Sequence, residues 1–196
     1  YKMKNLARKS LVAIMLTMSL SMQANETELT SKEKVVTNLH FDNVKQGSVL
    51  TIVDRNGLVL YNEAIKKSGD YSKGFDLTSL PNGDYYFELD KELEILVIPF
   101  NVVSNQVAFK KEGKSRIFKP YIRVKDEMVY VSRTSLDKSP IEYSIYYVDN
   151  YDLVLKEKEN TDTYLRKVYD FSKAKKGEYV FVFKYNGRTQ SKTVKI

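Results

Sequence analysis

The chain has 196 residues, with one histidine and no cysteine or tryptophan. That leaves room for one or two domains and excludes disulfides, thiolate metal sites, a cysteine nucleophile, a lipidated N-terminal cysteine and any site built on two imidazoles. With 42% hydrophobic and 29% charged residues the chain can bury a core, and its formal charge of +7 is unevenly spread.

Lys2, Lys4, Arg8 and Lys9 precede an apolar run from Leu11 to Leu20, and Ala24 offers a small residue before Asn25 and Glu26. Basic, apolar, then small is the order of a secretory signal peptide. The run is shorter than the ~20 residues of a membrane span. The spacing therefore predicts cleavage after Ala24, with Ser21 as the other candidate, rather than a retained anchor helix. It also predicts a mature chain without a membrane span. Without residues 1–24 the balance is 28 basic to 25 acidic residues, which removes most of the support for a nucleic-acid partner. Export without cysteines fits a bacterial envelope protein that depends on its hydrophobic core.

The remainder reads as strands. Residues 35–41 alternate and end at a polar break. Residues 48–53 and 58–61 flank Asp54-Arg55-Asn56-Gly57, a hairpin turn with glycine where positive φ is needed. Residues 84–89 alternate around Tyr85, Phe87 and Leu89, with Tyr86 and Glu88 on the opposite face. Residues 93–103 form a long β-rich run in which Pro99 calls for an edge position or a bulge. No stretch after residue 24 keeps a 3.6-residue period over three turns.

The pattern is then repeated. Val53, Asp54, Leu58, Val59 and Leu60 recur 95 residues later as Val148, Asp149, Leu153, Val154 and Leu155, and on the same offset Thr51 matches Tyr146. After a one-residue gap Lys73, Asp76, Gly83, Tyr85 and Phe87 recur as Lys167, Asp170, Gly177, Tyr179 and Phe181. A period of this size means two similar domains. The polar stretch 110–119 holds their boundary, giving domains 25–112 and 113–196. The expected fold is all-β: two tandem immunoglobulin-like antiparallel β-sandwiches after a cleaved signal peptide.

The segments DLTSLPNGDYYFEL (76–89) and DFSKAKKGEYVFVF (170–183), with the hairpin IVDRNGLVLY upstream, resemble the C-terminal sorting domains of type IX secretion, which are small Ig-like β-sandwiches. The likeness covers about 47–102 and 141–196. It implies a sandwich fold and a link to that export route. Read from the residues themselves, Gly83 and Gly177 permit turns that a Cβ would strain, Tyr85 and Tyr179 open core strands with a phenol that reaches the backbone, and Asp76 and Asp170 cap loops.

Little chemistry is visible. His40 lies on an alternating strand without a nucleophile elbow, and Asp54-x-Asn56-Gly57 lacks the distal glutamate of a calcium loop. No metal site, cofactor or enzymatic activity is expected. One asymmetry goes beyond the fold. Residues 25–112 hold ten basic and fourteen acidic residues, whereas 113–196 hold eighteen and eleven; tyrosine splits four to ten. Tyr146, Val180 and Val182 should form an apolar patch on the outer face of the second domain, with Lys184 and Arg188 nearby. Three occupants suit it: domain one of the same chain, domain one of another copy through self-association, or an anionic surface glycan. The sequence thus predicts a secreted, non-enzymatic binding or structural module of the envelope or cell surface. The alternatives are a substrate or accessory protein of type IX secretion and a periplasmic two-domain chaperone.

Overall fold

A computed structural model describes residues 36–160 and 163–196; the segment read as a signal peptide lies outside the described residues. The chain forms two tandem antiparallel β-sandwiches. In the first, β1 (Thr37–Val44) pairs with β4 (Gly69–Phe75). The opposing sheet runs in the order β3 (Val59–Ala64), β2 (Val49–Asp54), β5 (Gly83–Asp90), β6 (Glu94–Val103) and β7 (Gln106–Phe109). A further strand, β8 (Ser115–Phe118), also pairs with β6. In the second sandwich β9 (Tyr121–Lys125), β10 (Met128–Thr134) and β13 (Tyr164–Asp170) form a sheet in the order β13-β10-β9. It faces β11 (Ile141–Tyr147), β12 (Asp152–Glu159), β14 (Glu178–Tyr185) and β15 (Arg188–Lys195), in the order β12-β11-β14-β15. No helix among the described residues is long and apolar enough to cross a membrane.

Alternation in each strand builds two separate cores. Leu50, Phe87, Leu89, Phe100 and Val102 are fully buried in the first, and Ile141, Tyr143, Ile145, Phe181 and Phe183 in the second. Burying such side chains stabilises by roughly 1.5–3 kcal/mol each. The sheets β1-β4 and β3-β2-β5-β6 have the same connectivity as β13-β10 and β12-β11-β14-β15.

Ladder register corrects the sequence alignment. A β-bulge between Ile52 and Val53 recurs between Ile145 and Tyr146, so Tyr146 corresponds to Val53 and not to Thr51. In β2 and β11 the slip is two residues, which leaves each side chain on the same face; in β3 and β12 it is one, so that Leu153 corresponds to Val59 and Leu155 to Tyr61. Pro99 is neither on an edge strand nor at a bulge. It lies in β6 opposite Tyr86, at the gap between the stretch paired with β8 (Glu94 to Val97) and that paired with β7 (Phe100 to Val103). Its missing N–H is not needed there, and its carbonyl accepts from Lys110 N–H at 3.1 Å. The 3₁₀ turn Lys111–Gly113 packs so closely that a Cβ on Gly113 would lie 2.5 Å from the Pro99 ring.

Candidate functional site

The face of β12-β11-β14-β15 that points away from the core is organised in cross-strand rows. Leu153, Tyr146, Val180 and Thr193 form one row; Lys156, Ser144, Val182 and Ser191 the next; Lys158, Glu142, Lys184 and Thr189 the third. The bulge leaves Val154 without a ladder partner beside Leu153, and both are more than half exposed. Tyr146, Val180 and Val182 are half-buried among them, so the face is apolar at one end and lysine-rich at the other. Lys156 pairs with Glu142 at 3.2 Å.

Arg188 does not belong to this patch. It stands opposite Tyr185, on the other face from Lys184, directly after the Asn186-Gly187 hairpin turn. Both turn residues have positive φ, 48° and 69°, as a two-residue turn of this type requires. The Arg188 guanidinium reaches Glu88 of the first sandwich. Lys119, between the sandwiches, pairs with Asp90. Strand β8 is shared: its backbone pairs with β6 while Ile117 packs against the second core. The hairpin tip and the outer face of β3-β2-β5 bound a groove of about 500 Å³, floored by Val49, Thr51, Val53 and Val59.

The junction is anchored by Arg133, only 4% exposed. By ladder register it occupies the place that core residue Phe41 holds in the first copy. It donates to the Phe118 carbonyl at 3.4 Å, to Ser139 Oγ at 3.0 Å and to Asn186 Oδ1 at 2.6 Å, and lies over the Tyr185 ring. Asn186 in turn donates to Asp137 at 2.7 Å. Burial pushes the Asp137 carboxyl up, but bonds from the Ser139 N–H, Asn186 and two serine hydroxyls outweigh it and bring it down to about 2.

The repeated motif residues have local roles. Asp76 accepts from Thr78 N–H at 3.3 Å and Thr78 Oγ at 2.7 Å; Asp170 accepts from Ser172 N–H at 2.9 Å. The Tyr85 hydroxyl donates to the Pro81 carbonyl at 2.8 Å and that of Tyr179 to the Lys175 carbonyl at 2.7 Å, four residues back in both copies. The two glycines differ. Gly177 has φ +147°, and a Cβ there would meet the Tyr147 hydroxyl at 2.7 Å; Gly83 has no positive φ, and its nearest contact would be an ordinary 3.5 Å. The reading of Gly83 as a strained turn is therefore corrected. Asp54 accepts from the N–H groups of Asn56 and Leu58, both at 2.8 Å, which closes the hairpin. His40 is exposed and bonded to Asp42 at 2.8 Å.

The recurring lysines also share a role. Lys73 donates to Glu63 and to the Tyr61 hydroxyl, and Glu63 also accepts from Tyr61 and Tyr71. These bonds, that from Lys73 first, hold the Glu63 carboxyl at about 2. Lys167 pairs with Glu157 at 3.5 Å and with Glu159 at 2.5 Å, while Glu157 accepts from Tyr143 and Tyr169. The Tyr143 bond is the main cause lowering the Glu157 carboxyl, and burial with that same bond raises the Tyr143 phenol. Each copy thus ties its edge strand, β3 or β12, to the opposing sheet at the rim. Among the described residues no three His, Asp or Glu side chains converge to hold a metal ion.

Sequence reasoning missed Leu153 and Val154 as surface residues because a bulge cannot be seen in alternation. Arg133 is hidden from repeat-reading because residues 130–133 of β10 share no identity with residues 38–41 of β1. The ten tyrosines of the second copy divide among its core (Tyr143, Tyr147, Tyr179 and Tyr185, with Tyr169 packed against it), the apolar face and the adjoining turn (Tyr146, Tyr151), and the exposed Tyr121, Tyr130 and Tyr164 of the three-stranded sheet.

No family model and no curated protein matches the chain. Solved structures with similar regions include a "Biofilm associated protein - BSP domain" (16% identity, TM-score 0.28, covering 83% of this chain and 27% of that one). Others are a "Human OSCAR ligand-binding domain" (8%, 0.27, 83% and 90%) and a "tetra-tandem repeat in extending region of large adhesion protein" (17%, 0.28, 80% and 43%). The chain spans about a quarter of the length of the first and less than half of the third.

Proposed function

We propose that the chain is an exported, non-enzymatic module of the bacterial envelope or cell surface that works by contact, as a binding or structural element. In this reading residues 1–24 are removed on export and the modules are 25–112 and 113–196. The observation that carries it is the open apolar face formed by Tyr146, Leu153, Val154, Val180 and Val182. An apolar patch rimmed by lysines marks a protein contact. In the first copy the corresponding face is bounded by the hairpin tip of the second. The large titratable clusters have structural roles at the rims and the junction, which further favours a binder over an enzyme.

The test combines fractionation with Val180→Glu and Val182→Lys. The wild-type protein should reside on the cell surface, open to added protease. The double variant should keep its melting temperature, because neither valine faces the core, while surface retention or self-association falls. A folded double variant retained like the wild type would remove this face from the proposal. The second reading, a substrate or accessory protein of type IX secretion, rests on the repeated hairpin, Asp and Gly-x-Tyr pattern. It predicts loss of surface display in a strain lacking that apparatus, and unchanged display there would eliminate it.

A further inference from the structure

We propose that the outer face of the three-stranded sheet β13-β10-β9 binds a carboxylate-bearing polysaccharide. This is a different face from the apolar patch, on the opposite side of the second sandwich. Its rows run Arg123, Tyr130, Val168 and Tyr121, Ser132, Arg166, with Tyr164 opposite Thr134 beyond them and Lys125 opposite Met128 and Asp170 at the other end. Tyr121, Tyr164 and Val168 each keep more than half of their surface, and Tyr130 more than a third. The Arg123 guanidinium lies over the Tyr130 ring at 5.4 Å. Among the described residues no carboxylate pairs with Arg123 or Arg166. Asp170, the acid in these rows, accepts from Ser172 N–H.

The fold does not call for these side chains, because the first copy does without them. Ladder register sets Tyr130, Val168, Arg166 and Tyr164 at the positions of Asn38, Gly74, Ser72 and Asp70. Strand β9, which brings Tyr121, Arg123 and Lys125, lies beside β10; among the described residues the sheet β1-β4 has two strands. On the two strands compared, the second copy has thus gained two exposed tyrosines and a cation on this face, and Tyr164 replaces an acid. Much of the tyrosine and charge asymmetry is concentrated on this surface.

The chemistry of the face selects the ligand class. Exposed phenol rings offer flat, amphipathic surfaces to the C–H faces of sugars, and a guanidinium fork takes a carboxylate in two parallel hydrogen bonds. Side chains two apart on a strand are about 7 Å apart, and those two strands apart about 10 Å. Cations at that spacing, with rings between them, match a polymer carrying one carboxylate per sugar or two. Double-stranded DNA presents a charge every ~1.7 Å and calls for a denser basic surface.

The test measures binding of the purified protein to polygalacturonate and hyaluronan. Dextran, polyglutamate, single-stranded DNA and phosphatidylglycerol vesicles are the comparisons. Both uronic-acid polymers should bind, with affinity falling as salt rises, and dextran should not. Tyr130→Asn, Tyr164→Asp and Arg166→Ser together, the residues of the first copy, should lower affinity by roughly tenfold or more without changing the melting temperature. If that variant fails to fold, Arg123→Gln with Arg166→Gln carries the same test on two exposed side chains. No binding of either uronic-acid polymer, equal binding of dextran, or unchanged affinity in the folded variants overturns the proposal. So does tighter binding of polyglutamate, DNA or vesicles. Val180→Glu with Val182→Lys should bind polygalacturonate like the wild type, so failure of the apolar-face reading and failure of this one are distinguishable.

Discussion

Two residues that look identical in sequence are not equivalent in space. Gly177 adopts φ +147° against the Tyr147 ring, whose hydroxyl is fixed by Asp149 and the Lys176 carbonyl. Gly177→Ala should destabilise by about 1–3 kcal/mol, through backbone strain and a clash that the ring cannot relieve. Gly83→Ala should change stability by no more than about 0.5 kcal/mol. Parallel thermal melts check the pair, and equal losses would contradict the backbone assignment. Glu63 sets a second expectation. Its carboxyl sits at about 2 rather than 4.5 because Lys73 and the tyrosines bond its charged form. A depressed folded-state value contributes stability that is complete above 4.5 and lost as pH falls through 2. Denaturant unfolding should weaken across that window, and Glu63→Gln should flatten the dependence; an equally steep acid slope in the variant would refute the assignment.

At the scale of strands, the β2–β3, β5 and β6 runs were legible because alternation, a glycine turn and apolar density all agreed. The strand β4, GDYSKGF, was not, since its inward side chains Tyr71, Lys73 and Phe75 are only half-buried at the rim. Strand β1 exposes the limit of repeat-reading: its counterpart β10 carries Arg133 where β1 has Phe41. Arg133→Ala should cost about 1–3 kcal/mol, because Asn186, Ser139 and the Phe118 carbonyl lose a buried donor. Hydrogen exchange should quicken at the Ser115–Phe118 strand while β11 stays protected. Unchanged exchange along β8 would mean that Arg133 does not tie it to the second sandwich. The apolar face was legible as alternation at Val180 and Val182. Its full extent was not, since the bulge that frees Val154 depends on register between strands far apart in sequence.

For the whole molecule, the duplication was readable and the coupling of the copies was not. The charge split is partly resolved at the junction, where both acids, Glu88 and Asp90, come from the first copy and both bases, Lys119 and Arg188, follow it. Both pairs are partly buried, so desolvation offsets much of their attraction, and they adjust the seating of the copies more than their folding. Glu88→Gln with Asp90→Asn should therefore leave both cores intact while separating their unfolding. Calorimetry should show a broadened or split transition where the wild type gives a narrower one, and high salt should mimic the variant. Identical profiles for variant and wild type would show that the ion pairs do not couple the cores.

The ladder position of Arg188 in the first copy is Glu94. A fusion of two first copies would bring that glutamate, which Lys91 already engages at 3.3 Å, against Glu88 in the place of the Arg188 guanidinium. The order of the modules is consequently one-way: a chimera built as first-first or second-first should fold each half yet fail to seat them. Two halves that began as copies have become complementary parts, no longer interchangeable.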